Sequence, residues 1–133
     1  GMNDGLGFGS NAKSALVTRG IVEMKRFGDA LGAAPDTFNG LSGIGDLITT
    51  CFSAYSRNRH LGEEIGKGRT LDEVLSEMVM VAEGAPTTRT VYEFSRANGI
   101  DMPITEKVYE VLFNGMPAAE AVGALMMRDR KAE

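Results

Sequence analysis

The chain has 133 residues, enough for one domain with a sizeable core. Hydrophobic residues make up 43% and charged residues 24%, and the net charge of −4 argues against nucleic acid or an anionic membrane as the main partner. One cysteine excludes an internal disulfide, one histidine leaves too few soft ligands for a zinc site, and no apolar run approaches the ~20 residues of a membrane span.

No secretory leader is visible. Because the first residue is Gly1 rather than methionine, the chain is expected to begin at a cleavage scar or an internal boundary of something longer. Residues 1–10 are glycine-rich and read as a flexible lead loop. Gly7-Phe-Gly9-Ser-Asn-Ala12 has the letters of a dinucleotide fingerprint, but six preceding residues cannot supply the buried strand it needs. Asn11–Leu31 then reads as a long amphipathic helix. Ala12, Ala15, Leu16, Ile21, Val22, Phe27, Ala30 and Leu31 supply most of its apolar face, with Lys13, Arg19, Glu23 and Arg26 opposite. Lys13 is read as a surface lysine of the first turn. Gly20 weakens the helix by roughly 1 kcal/mol against alanine and is expected at a close helix crossing, and Gly32 ends the helix.

Pro35-Asp-Thr-Phe38 suits a short helical turn. Gly40 to Gly62 is the stretch that carries chemistry: glycines, one acid, several hydroxyls and a Ser56-Arg57-Asn58-Arg59 run. Asp46 opens a short helix to Phe52 and can cap it while its carboxylate stays at a turn. Ser56 opens a second helix to about Ile65, stopped by Gly66-Lys-Gly68. A hydroxyl, guanidiniums and free backbone N–H groups at a helix start favour an anion. An acid at one turn and an anion cradle at the next fit a ligand bearing hydroxyl and phosphate or carboxylate groups. The same residues fit a plainer account, with Asp46 and Ser56 as N-caps worth roughly 1 kcal/mol each and Arg57 and Arg59 on a solvated face. Cys51 with His60 spells a thiol nucleophile and base, against the plainer reading of a packed thiol and a surface imidazole.

Thr70-Leu-Asp-Glu73 is a capping box opening a helix that carries Leu71, Val74, Leu75 and Met78. Glu83-Gly84-Ala-Pro86 reads as a turn before a helix over Thr87–Ala97, closed by Asn98-Gly99. Two more helices follow, from Met102-Pro103 through Phe113 and from Met116-Pro117 through Met127, before a charged tail. No period-2 run of branched residues occurs, so the fold class is all-α. The eight methionines fall mostly at apolar helical positions and read as core filling.

Asp4 to Gly20, Thr37 to Asp46, Ser56-Arg-Asn58 and Val81-Ala-Glu-Gly84, in this order and spacing, resemble the C-terminal domain of bacterial NAD(P)-dependent glycerol-3-phosphate dehydrogenases. The resemblance covers nearly the whole chain. It implies the helical fold of 6-phosphogluconate dehydrogenase-like enzymes, with residues 1–133 as one substrate-binding domain. The N-terminal Rossmann domain, which would hold NAD or NADP, is absent from this chain. Such enzymes interconvert dihydroxyacetone phosphate and sn-glycerol 3-phosphate, in the cytoplasm, for phospholipid synthesis. Carried over position by position, substrate contacts fall at Asp46, Thr50, Ser56, Arg57 and Asn58. Cofactor contacts fall at Arg57, Val81 and Glu83. Hydride delivery to a carbonyl needs a proton donor. The family's lysine donor precedes the glycine-rich lead, so no catalytic residue lies in this chain and Lys13 is not that group. Asp46 would orient and hold that lysine cationic, and Arg57 would grip the phosphate. Ser10 stands where aspartate is common, and Ala85 where valine is common. The implied assembly is a homo-oligomer without metal, nucleic acid or a membrane span. Two alternatives stay open: a non-catalytic helical module binding a phosphorylated ligand or a protein, and the helical half of a dehydrogenase acting on hydroxy acids. A glycine-rich or apolar patch near Gly40–Gly45 is expected to face a missing partner.

Overall fold

The computed structural model describes residues 1–33 and 41–128, and among them every regular element is helical. In chain order these are α1 (Met2–Leu6), α2 (Ser10–Ala30), a π-helical turn (Leu41–Gly45), α3 (Asp46–Phe52), α4 (Arg57–Gly66), α5 (Leu71–Glu77), α6 (Gly84–Ala97), α7 (Pro103–Phe113) and α8 (Ala118–Met126). The all-α expectation holds. The short turn expected at Pro35–Phe38 and most of the charged tail lie outside the described residues.

The core gathers Leu61 and Ile65 of α4, Val74 of α5, Ala82 and Ala85, Val111 of α7, and Ala118 and Ala121 of α8. Met2, Met78 and Met116 pack at its edge, as flexible thioethers filling irregular gaps do. Thr70 Oγ1 accepts the Glu73 N–H at 3.2 Å, the forward arm of the expected capping box. Glu73 turns its carboxylate toward Arg69, 3.9 Å away, instead of back to the cap.

Three expectations change. The lead is not a loop: Met2–Leu6 is helical, and its glycines seat it on α4. A Cβ at Gly5 would overlap the Glu63 carbonyl oxygen, and one at Gly66 would come within 2.5 Å of the Met2 carbonyl oxygen. Here is the close crossing expected at Gly20, where an added Cβ would meet nothing within 4 Å. Periodicity missed it because the contact is made by the absence of side chains. Second, α6 starts at Gly84, so the segment read as a turn is its first turn; Pro86 is tolerated where N–H groups have no intrahelical partner anyway.

Third, the polar stripe of α2 faces protein. Lys13 donates to Asp4 Oδ2 at 2.8 Å and lies 4.1 Å from the centre of the Phe52 ring, with its side chain only 13% exposed. Arg19 donates to the Leu125 carbonyl near the end of α8, and Arg26 to the Asp101 carbonyl. Glu23 is buried and accepts the Ile104 and Thr105 N–H groups at the start of α7. The N-cap residue of α7, Met102, offers no side-chain acceptor and Pro103 no N–H, so Glu23 caps that helix from outside. Helix ends need partners, and one stripe of α2 supplies them for its neighbours. Burial pushes the Glu23 carboxyl above the ordinary glutamate range, against the pull of those donors. At Asp4 burial acts in the same direction, but Lys13 and Arg59, whose Nε lies 3.0 Å away, hold the carboxyl below the usual range. Asp4 thereby ties α1 to both α2 and α4.

Candidate functional site: a hydroxyl and guanidinium cleft

The π-helical turn brings the chain from Leu41 straight into α3. The N-cap is Gly45, and Asp46 is the exposed first helical residue, making no side-chain cap bond. Its carboxylate is therefore not occupied as a cap. Thr50 sits one turn further on the same face. After Phe52 a turn, closed by the Ser56 N–H donating to the Ser53 carbonyl at 3.4 Å, leads to Ser56, whose Oγ accepts the Arg59 N–H at 3.1 Å. The capping account of Ser56 is thus correct, and it fixes the first turn of α4 with Arg57 as its opening residue.

Asn58 joins a second helix to this corner. Its Oδ1 accepts the Gly84 N–H at 2.9 Å, satisfying an orphan donor at the start of α6. A Cβ at Gly84 would lie 2.8 Å from that oxygen, so glycine permits the approach. The starts of α4 and α6 are held together, and residues at both line one cleft.

Between them lies a cleft of about 350 Å3 lined by Thr49, Thr50, Ser53, Tyr55, Ser56, Arg57, Asn58 and Glu83. Thr50, Ser56, Arg57, Asn58 and Glu83, separated by up to 33 positions, are thus brought to one place. Asp46 and Val81 do not line the cleft: Asp46 stands a turn before Thr50, and Val81 is 65% exposed on the segment leading to α6. Thr49, Ser53 and Tyr55 line it without having been singled out. The signal available was a hydroxyl at five of the eight residues from Thr49 to Ser56, interrupted by Cys51, Phe52 and Ala54.

Among the described residues no carboxylate pairs with Arg57. Its side chain also borders a second cleft, of about 380 Å3, with His60, Glu77 and the exposed Val79 and Met80. Arg57 therefore lines two adjoining depressions. Cys51 and His60 do not share a site, since Cys51 lines an inner cavity with Lys13 while His60 borders the second cleft. Burial pushes the Cys51 thiol up, which makes it a poor nucleophile. Gly40, where the expected patch begins, lies outside the described residues, and Gly43 is buried. The exposed apolar side chains next to that stretch are Ile48 and Phe52, with Val79–Val81 across the cleft corner. No group of three or more His, Cys, Asp or Glu side chains among the described residues could hold a metal, and no described helix is long and apolar enough to cross a membrane.

Fold and cleft together define a helical domain whose cleft is lined by hydroxyls, an amide and a guanidinium that pairs with no described carboxylate. The sequence profile described as "NAD-dependent glycerol-3-phosphate dehydrogenase C-terminus" matches residues 1–123, and the chain belongs to that family. It is 57% identical over its full length to the glycerol-3-phosphate dehydrogenase (NAD(P)+) of Chlorobium chlorochromatii, covering 40% of that protein. It is 55% identical to the first such enzyme of Salinibacter ruber, covering 39%. The crystal structure of the glycerol-3-phosphate dehydrogenase of Coxiella burnetii superposes with a TM-score of 0.93 at 37% identity, over 96% of this chain and 39% of that one. The chain thus spans about 40% of the length of the curated relatives it matches.

Proposed function

We propose that this chain is the substrate-binding, C-terminal domain of an NAD(P)-dependent glycerol-3-phosphate dehydrogenase. The single observation that carries the reading is the cleft in which Thr50, Ser56, Arg57, Asn58 and Glu83 meet, within a chain of this family. Dihydroxyacetone phosphate has a phosphate at one end and a hydroxymethyl ketone at the other. Arg57, with the N–H groups at the start of α4, suits the phosphate. The Thr50 and Ser53 hydroxyls suit the oxygens at the opposite end. Phosphate binding would hold the reacting carbon in place, which converts binding energy into rate.

Asp46 carries a carboxylate free of cap duty beside Thr50 and would orient and keep cationic an acid–base lysine contributed from outside this chain. For the cofactor, the fit lies at Arg57, Val81 and Glu83. Glu83 borders the cleft with an acceptor for ribose or amide groups, and Arg57 reaches toward the adjoining depression where Val79 and Met80 are exposed. The nicotinamide, when bound, supplies the hydride. The remaining cofactor contacts, and the choice between NAD and NADP, would fall to an N-terminal Rossmann domain. A cytoplasmic homo-oligomer is the setting this reading implies.

Two preparations test it: the full-length protein and the 133-residue chain alone. The full-length protein is expected to oxidise NADH or NADPH with dihydroxyacetone phosphate and not with keto acids, while the isolated chain turns over neither. Preference for a keto acid would favour the hydroxy-acid reading, and turnover by the isolated chain would contradict the division of labour.

A further inference from the structure

The glycine contact between α1 and α4 has a direction. Gly1 lies against Arg59, Gly62 and Glu63, while Gly5 lies against Glu63 and Gly66. Higher numbers on one helix meet higher numbers on the other, so the two run parallel. Their starts therefore lie at the same end, and the start of α4 carries Ser56, Arg57 and Asn58. Chain preceding Gly1 would approach that end of the domain.

A second observation agrees. A largely apolar cavity of about 330 Å3 is lined by Gly1 together with Lys13, Leu47, Cys51 and Asn58. Asn58 also lines the hydroxyl cleft, so the cavity and the cleft share a wall. Gly1 thus stands at the side of a space that adjoins the proposed substrate. The crossing that places it there has little freedom. Its contacts are backbone against backbone, and the Asp4 carboxylate pins α1 through Lys13 and Arg59.

We propose that Gly5, Gly62 and Gly66 are positioning residues. By allowing α1 to lie on α4 at backbone contact, they set where the preceding chain reaches the Ser56–Asn58 cleft. The proposal rests on the reading that this domain works within a longer dehydrogenase. The contacts predict a graded series. An added Cβ would overlap backbone at Gly5, approach to 2.5 Å at Gly66 and to 3.0 Å at Gly62, and meet nothing within 4 Å at Gly123 of α8.

The experiment is steady-state kinetics of full-length Gly5→Ala, Gly66→Ala, Gly62→Ala and Gly123→Ala proteins, with thermal unfolding of each. An inactive wild type would refute the proposed function itself and is read first. With an active wild type, kcat is expected to fall about 10-fold in Gly62→Ala and about 100-fold in Gly66→Ala, the scale of sub-ångström to ångström misplacement of reacting groups. KM for dihydroxyacetone phosphate should move less than about 3-fold, because Arg57 and its cleft stay on α4. Gly123→Ala should keep wild-type kcat. Gly62→Ala has the mildest clash and decides the matter. Wild-type kcat in its folded form, a rise in KM equal to the fall in kcat, or failure of this variant to fold would each overturn positioning in favour of a packing contact alone.

Discussion

Replacing Arg57 by alanine in the full-length protein is expected to lower kcat/KM for dihydroxyacetone phosphate by about three orders of magnitude, equivalent to about 4 kcal/mol. The size follows from what is removed. A guanidinium facing a phosphate makes paired, charge-assisted hydrogen bonds, each worth about 1.5–3 kcal/mol against water. Arg57→Lys keeps the charge and loses the planar fork, and should fall between wild type and alanine. Thermal stability should change little, because the side chain is exposed and pairs with no described carboxylate. A solvated surface arginine would give kinetics within about 3-fold of wild type. Steady-state kinetics with matched unfolding curves separates the two.

Replacing Glu23 by alanine is expected to destabilise the domain by about 2–4 kcal/mol in denaturant unfolding. The N–H groups of Ile104 and Thr105 would lose the only described side chain that caps α7, in a place where Glu23 itself is 5% exposed. Glu23→Gln retains an acceptor and should cost about half as much. The pH dependence has a definite sign. Burial raises the folded-state pKa of Glu23, so in the window above the ordinary glutamate range the folded chain binds more protons than the unfolded one. This group's contribution is complete at low pH and shrinks as pH rises through the folded pKa. The stability gap between wild type and Glu23→Gln should therefore narrow from acid toward neutral pH. A gap that widens would mean the N–H donors outweigh burial.

The contrast between these two residues shows what the sequence made legible. Arg57 stood out because hydroxyl, guanidinium and amide cluster within four neighbouring positions at a helix start, and local spacing suffices to read such a cluster. The ends of α7 and the start of α4 were legible for the same reason: Pro103, Asn114-Gly115 and Ser56 act on their own neighbours. Glu23 was assigned to solvent because periodicity sorts residues by polarity, and a buried carboxylate that caps another helix across 81 positions leaves no mark in its own segment. The α1–α4 crossing was missed on similar grounds. Glycine reads as flexibility when met singly, and only the pairing of Gly1 and Gly5 with Gly62 and Gly66 turns it into contact. Family resemblance supplied a grouping that spacing could not, that of Val81 and Glu83 with Arg57. Glu83 lines the cleft beside Arg57, whereas Val81 lies outside its lining.

The most direct test is a crystal structure of the full-length protein with sn-glycerol 3-phosphate. The phosphate is expected within hydrogen-bond distance of the Arg57 guanidinium and the N–H groups at the start of α4, with the carbinol end toward Thr50 and Asp46. Ligand bound elsewhere, with Arg57 pointing into solvent and the Thr49–Asn58 cleft empty, would contradict the account.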